Sequence, residues 1–164
     1  MLTLCYSQID SPVGPLVLAA SDRGLAILAF GHELPQRLGG EKIDWQQSDG
    51  ACADVRRQLE EYFVGRRREF TIPLDLRGTG FQKDCWQELL RIPYGETRSY
   101  AEIARSVGHP TAYRAVGQSN HHNPVAIVVP CHRVLAGGKA LGGYGGGLAA
   151  KAFLLRLEGA SVVS

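Results

Sequence analysis

The 164-residue sequence contains no C-x-x-C pair, and its four cysteines, Cys5, Cys52, Cys85 and Cys131, are scattered. Neither a zinc knuckle nor a disulfide scaffold is indicated. No apolar run approaches membrane-spanning length, and Met1-Leu2-Thr3-Leu4 is not a signal peptide. No membrane partner is expected, and the expected location is cytoplasmic, where thiols stay reduced. An excess of one charge is also missing. A formal net charge of +2 does not establish nucleic-acid binding, and permits it only if the basic groups cluster. The Gly-rich stretch 137–147 lacks both the P-loop spacing and a strand-turn-helix setting, so a phosphate cradle is not supported. What remains is ordinary globular composition, 45% hydrophobic and 21% charged, enough for one domain or two very small ones.

The informative stretch is 125–134, Val-Ala-Ile-Val-Val-Pro-Cys-His-Arg-Val. Its β-branched run Ile127-Val128-Val129 reads as a buried strand, ended by Pro130, which cannot donate a ladder hydrogen bond. Cys131 then stands where the chain leaves the core. A thiol there is a nucleophile if a base or a helix N-terminus lowers its pKa. The commonest fate of a free cysteine is nevertheless a small buried hydrophobe.

In the first half, residues 4–9, 16–20 and 25–30 read as three strands of an antiparallel meander, joined by turns at 11–14 and 22–24. Residues 31–50 read as a loop. Val55, Leu59 and Tyr62 recur at helical spacing from Ala53, and Gly65 ends that helix. Arg66-Arg67-Arg68 reads as a solvated face. Residues 71–76 read as a short strand, and 77–80 as a linker.

The second half reads as helices. Thr79 with Gln82, and Ser99 with Glu102, fit capping boxes. Phe81, Cys85 and Leu89 line one face, so Cys85 reads as core. The helix from Tyr100 to Val107 ends at Gly108, and Pro110 suits the first turn of the next. This pair makes a helix-turn-helix pattern. Ala112, Ala115, Val116 and Ser119 share one face of the second helix, with Arg114 and Gln118 on the other. Small residues there suit either a narrow groove or helix packing, and spacing alone favours packing. Leu148, Ala152 and Leu155 mark a final helix. Glu158 at its end opposes the dipole and calls for a hydrogen-bond donor such as a histidine.

Pro130-Cys131-His132-Arg133-Val134 resembles the acceptor-cysteine signature of the O6-alkylguanine-DNA alkyltransferases, also called methylated-DNA–protein-cysteine methyltransferases. Further landmarks follow in the family's order: Phe81-Gln82 with Trp86, Ile92-Pro93-Tyr94-Gly95-Glu96, Ser99-Tyr100, Arg114-Ala115-Val116-Gly117, Asn123-Pro124, Gly143-Tyr144-Gly145-Gly146, Lys151, and Leu154-Leu155 through Glu158. Asp10-Ser11-Pro12-Val13-Gly14 and Leu74-Asp75-Leu76-Arg77-Gly78-Thr79 agree in the first half. The resemblance implies an α+β protein. A small RNase-H-like α/β N-terminal domain (residues 1–78) is followed by a mostly helical C-terminal domain (79–164) with a winged-helix-like helix-turn-helix, for DNA binding and alkyl acceptance.

The resemblance also implies roles. Cys131 looks like the acceptor, and His132 like the base that takes its proton through a water, oriented by Glu158. Tyr100 resembles the phenol that supports the departing guanine, and Asn123 the brace of the turn before the cysteine. Arg114 resembles a finger that fills the base stack once the damaged nucleotide is flipped out. Tyr113, Ala115, Gly117 and Ser99 belong with it on the DNA side; Tyr144, Val134, Gly145 and Pro130 line the substrate pocket. The implied partner is alkylated double-stranded DNA, approached from the minor groove by a monomer, with clustering on DNA left open. The implied substrates are O6-alkylguanine and O4-alkylthymine, in a reaction that consumes the protein. No cofactor is implied. Tyr113 departs from a position where the family often has a small residue. Ala126 and Gly137-Gly138 lack side chains that line the pocket in some relatives. Some relatives hold a structural zinc near the N-terminus; here Cys5 is present but Ser21 and Ala26 stand where partners would be needed, so no metal is expected.

Two other readings start from the same residues. Cys131, His132 and Glu158 suit a cysteine hydrolase, although an adjacent histidine on a regular strand would point away, and hydrolases usually draw the base from a distant segment. A non-catalytic damage-binding module or transcription regulator would use the helix-turn-helix alone, and then has no use for the thiol within the full signature.

Overall fold

The computed structural model describes residues 1–161. The chain forms two compact units, one of Met1–Thr79 with Pro124–Ala126, the other of Gly80–Asn123 with the chain from Ile127. Residues 162–164 of the expected C-terminal domain lie outside the described residues.

In the first unit, β1 (Leu2–Ile9), β2 (Leu16–Ala20) and β3 (Leu25–Phe30) form the expected antiparallel meander. Gly24 makes the second turn because a Cβ there would lie 2.5 Å from the Pro73 carbonyl oxygen. The expected loop 31–50 is instead partly strand. β4 (Arg37–Leu38) pairs with β5 (Glu41–Gln47), and β5 runs parallel to β1, giving the order β3-β2-β1-β5-β4. The polar face of β5 hid it: only Ile43 is fully buried, and Trp45 meets the Tyr6 ring edge-on at 5.3 Å. The expected strand 71–76 reduces to one bridge, Leu25 to Leu74. Pro73 lacks an N–H and enters only as an acceptor, from Leu25 N at 2.8 Å. α1 (Ala53–Phe63) buries Val55, Leu59 and Tyr62 as the spacing predicts.

In the second unit, α2 (Gly80–Leu89) buries Cys85, Trp86 and Leu89, and the Trp86 indole donates to the Ser119 carbonyl at 2.8 Å. β6 (Arg98–Ser99) leads into α3 (Tyr100–Ser106), whose Ser99–Glu102 capping box is complete. Pro110 is not in the next helix but in the turn before it. α4 (Tyr113–His121) begins after Ala112, buries Val116 and Ser119, and leaves Ala115 exposed rather than on the shared face.

The largest departure is at 127–129. Val125 makes one bridge to Leu28, and the chain then turns through 126–128 with Ile127 at φ 71°. A β-branched residue there is strained. Residues 125–130 are all buried, so the apolar run reports burial, which a strand and a buried turn share. Cys131–Arg133 then form one 3-10 turn, followed by β7 (Val134–Leu135), parallel to β6. α5 (Leu148–Leu157) closes the unit with Glu158 as its C-cap. Among the described residues no helix is long and apolar enough to cross a membrane.

Ser99→Ala removes the acceptor for the Glu102 N–H and leaves only the reciprocal bond from the backbone N–H of residue 99 to the Glu102 carboxylate. This substitution is expected to cost about 1 kcal/mol and to lower the melting temperature by about 3 °C. Thermal unfolding followed by circular dichroism checks it.

Candidate active site

The site lies in the second unit. Tyr100, Gly117, Asn120, His121, Cys131, Gly143, Tyr144 and Gly145 line a cavity of about 140 Å³. α3 supplies Tyr100, α4 supplies Gly117, Asn120 and His121, the 3-10 turn supplies Cys131, and the Gly-rich segment supplies the rest. Gly142 sits at φ 69°, and a Cβ there would lie 3.3 Å from the Tyr100 hydroxyl, so glycine lets this wall approach the phenol.

The Asn123 amide donates to the Val129 carbonyl at 2.8 Å and to Cys131 Sγ at 3.1 Å. One side chain thus ties the turn to the thiol. Burial holds the Cys131 thiol above its ordinary pKa, and the Asn123 hydrogen bond and the Lys151 charge pull against that. The thiol at rest is therefore protonated, and thiolate chemistry there needs a base.

His132 is fully buried, and Nε2 lies 2.8 Å from Glu158 Oε2. Its Nδ1 is buried without a hydrogen-bond partner. Burial lowers the imidazole pKa, and the Glu158 hydrogen bond and charge oppose this. Since the carboxylate only accepts, the Nε2 proton is fixed and Nδ1 is left as the basic nitrogen. Arg133, the next residue, grips the same carboxylate from Nε (2.7 Å to Oε1) and Nη2 (3.0 Å to Oε2), and donates from Nη1 to the Ile92 carbonyl at 2.7 Å. Burial alone would raise the Glu158 pKa, but the hydrogen bonds and charges of His132 and Arg133 bring it down to about 2. Lys151, fully buried, donates to the Val134 carbonyl at 2.8 Å and the Gly143 carbonyl at 3.2 Å. Burial draws its pKa down to about 8. Burial and then Cys131 raise the Tyr100 phenol, so it is a neutral donor at neutral pH.

Of the expected residues, Cys131, Tyr100, Gly117, Tyr144 and Gly145 meet at the cavity. Asn123 bonds the Cys131 sulfur, and His132, the next residue, bonds Glu158, whereas Pro130 and Val134 are buried on either side of the 3-10 turn and do not line the cavity. Tyr113, Arg114 and Ala115 are exposed on α4, with Tyr113 49% accessible. Ser99 lines a separate cavity of about 220 Å³ with Arg98, Glu102 and Lys139. Sequence reasoning assigned nothing to Arg133, Asn120 or the Lys151 ammonium. Lys151 is a lone cation inside the run Leu148 to Leu155, a pattern that itself signals a buried charge. Asn120 has both amide atoms buried without a hydrogen-bond partner. Among the described residues no cluster of His, Cys, Asp or Glu is arranged to hold a metal ion.

A thiol in a cavity wall, backed by a neutral imidazole and a buried carboxylate, has the parts of a site for nucleophilic chemistry at sulfur. Comparison with known proteins makes this specific. Models described as the DNA-binding domain and the ribonuclease-like domain of 6-O-methylguanine DNA methyltransferase match residues 80–160 and 4–76. The methylated-DNA–protein-cysteine methyltransferase of Mycobacterium tuberculosis is 50% identical over 153 residues, covering 93% of this chain and 91% of that one. The protein of the same name from Methanosarcina barkeri is 47% identical over 158 residues, covering 93% and 96%. The crystal structure of Mycobacterium tuberculosis OGT in complex with DNA superposes with a TM-score of 0.87 at 48% identity, over 94% of this chain and 92% of that one. The chain belongs to the 6-O-methylguanine DNA methyltransferase family.

Glu158 generates a stability prediction. Its folded pKa of about 2 lies below the ordinary 4.5, so its contribution is complete above about pH 4.5 and is lost as pH falls toward 2. Denaturant unfolding across this window should show Glu158→Gln less stable than the parent at neutral pH but with a shallower acid decline. Parallel declines would contradict the carboxylate's role.

Proposed function

We propose that this chain repairs alkylated DNA by direct reversal, taking the alkyl group from O6-alkylguanine, and from O4-alkylthymine, onto Cys131. The observation that carries the reading is the thiol in the cavity wall, held by Asn123 at 3.1 Å with the His132–Glu158 pair beside it. The names of the relatives supply the substrate class, and the DNA-bound crystal structure of one of them supports DNA as partner.

In the reaction the sulfur–carbon bond forms as the carbon–O6 bond breaks. His132 Nδ1 receives the thiol proton through a water, Glu158 orients the ring, and Tyr100 gives a proton to the departing guanine as negative charge builds on it. Asn123 holds the sulfur in line. Pro130, Val134, Tyr144 and Gly145 shape the pocket. Because an O6 substituent inside a duplex is out of reach, the nucleotide is flipped into the cavity from the minor groove. Arg114 then fills the vacated stack, with Tyr113, Ala115, Gly117 and Ser99 against the DNA. α3 and α4 act as a helix-turn-helix of winged-helix-like form, and the first unit is RNase-H-like. The protein works as a monomer in the cytosol, where its thiol stays reduced. The thioether has no carbonyl for water to attack, so each molecule reacts once.

Peptide mapping after incubation with duplex containing O6-methylguanine should place one added methyl on Cys131; finding it on Cys5, Cys52 or Cys85 would overturn the assignment. Arg114→Ala should slow transfer from duplex by about tenfold or more while leaving reaction with free O6-alkylguanine base nearly unchanged, because only the duplex incurs a flipping cost of a few kcal/mol. Equal losses on both substrates would make Arg114 structural. The alkylated protein should melt at a lower temperature than the free one, since an extra methyl in a packed site costs about 1–3 kcal/mol.

A further inference from the structure

The 3-10 turn places two consecutive side chains, His132 and Arg133, on one buried carboxylate. In the proposed reaction only the first of them handles a proton. Arg133 is 7% exposed and places three hydrogen bonds, two on Glu158 and one on the Ile92 carbonyl. Its guanidinium also lies 5.8 Å from the centre of the Tyr94 ring, whose hydroxyl donates to the Leu157 carbonyl at 3.1 Å. It is therefore immobilised against Glu158.

We infer that Arg133 is a positioning residue that sets the proton affinity of His132: its fixed charge cancels Glu158, so the imidazole is oriented by the carboxylate yet stays neutral and basic. This rests on the reading of His132 as the base and deepens it.

Charge balance within this buried cluster decides the state of the ring. Glu158 carries −1 and Arg133 +1, and the cluster is neutral with no proton added to His132. A histidine facing a lone buried carboxylate would behave differently, because the favoured state of such a pair has a proton shared between them, leaving an imidazolium or a neutral acid. An imidazolium cannot accept the thiol proton, and a protonated Glu158 no longer fixes the Nε2 tautomer. The other groups facing the ring do not supply the missing charge. Lys151 on α5 is committed to the Val134 and Gly143 carbonyls. Burial raises the Tyr144 phenol, whose ring centre is 6.5 Å away, and the Cys131 thiol, so both are neutral at rest, and the Tyr94 hydroxyl is committed to the Leu157 carbonyl. α2 packs on the same turn, but its Lys83 and Asp84 are exposed, Glu88 pairs with Arg91, and Cys85 is an uncharged buried thiol. Arg133 is in contact with both carboxylate oxygens.

The test compares the full-length parent with Arg133→Lys, Arg133→Gln and Arg133→Met. The Gln variant keeps a donor without the charge, and provides a neutral variant if the Met protein does not fold. Nitrogen-15 NMR of the His132 ring, without DNA, reads tautomer and protonation. Single-turnover transfer from O6-methylguanine duplex is then followed against pH. In the parent, the ring should be neutral at neutral pH with its proton on Nε2. In the Gln and Met variants its protonation midpoint should rise by about one pH unit or more, and the acid limb of the rate should rise with it. At pH values below both midpoints, transfer should then fall about tenfold for each unit of rise, and it should recover in alkali. Lysine should restore most of the parent profile. An imidazolium in the parent at neutral pH, or a midpoint unmoved in both neutral variants, overturns the inference. A moved midpoint with an unmoved rate limb leaves Arg133 as inferred and removes His132 as the base.

Discussion

The active-site half of this protein depends on one buried carboxylate. Glu158 caps α5 where the helix dipole disfavours a negative charge, and it is buried. Either circumstance alone makes the ionised form costly. The charge persists because the next-door pair His132 and Arg133 saturates both oxygens with donors at 2.7 to 3.0 Å. Removing either partner from such a cluster leaves an uncompensated charge, which is far more damaging than a lost surface ion pair. Around this carboxylate the helix end, the Ile92 carbonyl and the 3-10 turn are mutually located, and the thiol of Cys131 is located with them.

Asn123 does the same for the approach to the cysteine. Its amide joins the Val129 carbonyl to the sulfur. The strained turn at Ile127 lies between Asn123 and Val129, inside the loop this amide closes, and its cost is borne because residues 125–130 are all buried. The strain, the amide brace and the carboxylate clamp together hold a sulfur atom at the wall of a cavity only about 140 Å³ in volume. These side chains are thus already in hydrogen-bonded contact around the turn in this structure.

How much of this was legible in the sequence follows the physics of each signal. β2 and β3 were bounded by turn chemistry and came out at residues 16–20 and 25–30, as expected. β5 was missed because its polar face breaks the apolar count that marks a strand. Residues 127–129 were read as a strand because an apolar run reports burial without reporting shape. Beyond Pro130 no shape was assigned to residues 131–133, and the 3-10 turn that brings both His132 and Arg133 to Glu158 has no local signature. Glu158 itself was legible, since a carboxylate at a helix C-terminus calls for a donor, and the donor is His132. Pairings of distant residues such as Lys151 with the Gly143 and Val134 carbonyls need the fold and have no local signature.

The central claim is that the sulfur of Cys131 ends in a thioether that water cannot reopen. Titration of a fixed amount of protein with duplex containing O6-methylguanine measures this most directly, with repaired guanine and intact-protein mass read at each point. The account predicts an end point of equimolar transfer, with the repaired guanine matching the alkylated protein at every step. Several guanines repaired per protein molecule, without an added reductant or second enzyme, would contradict it.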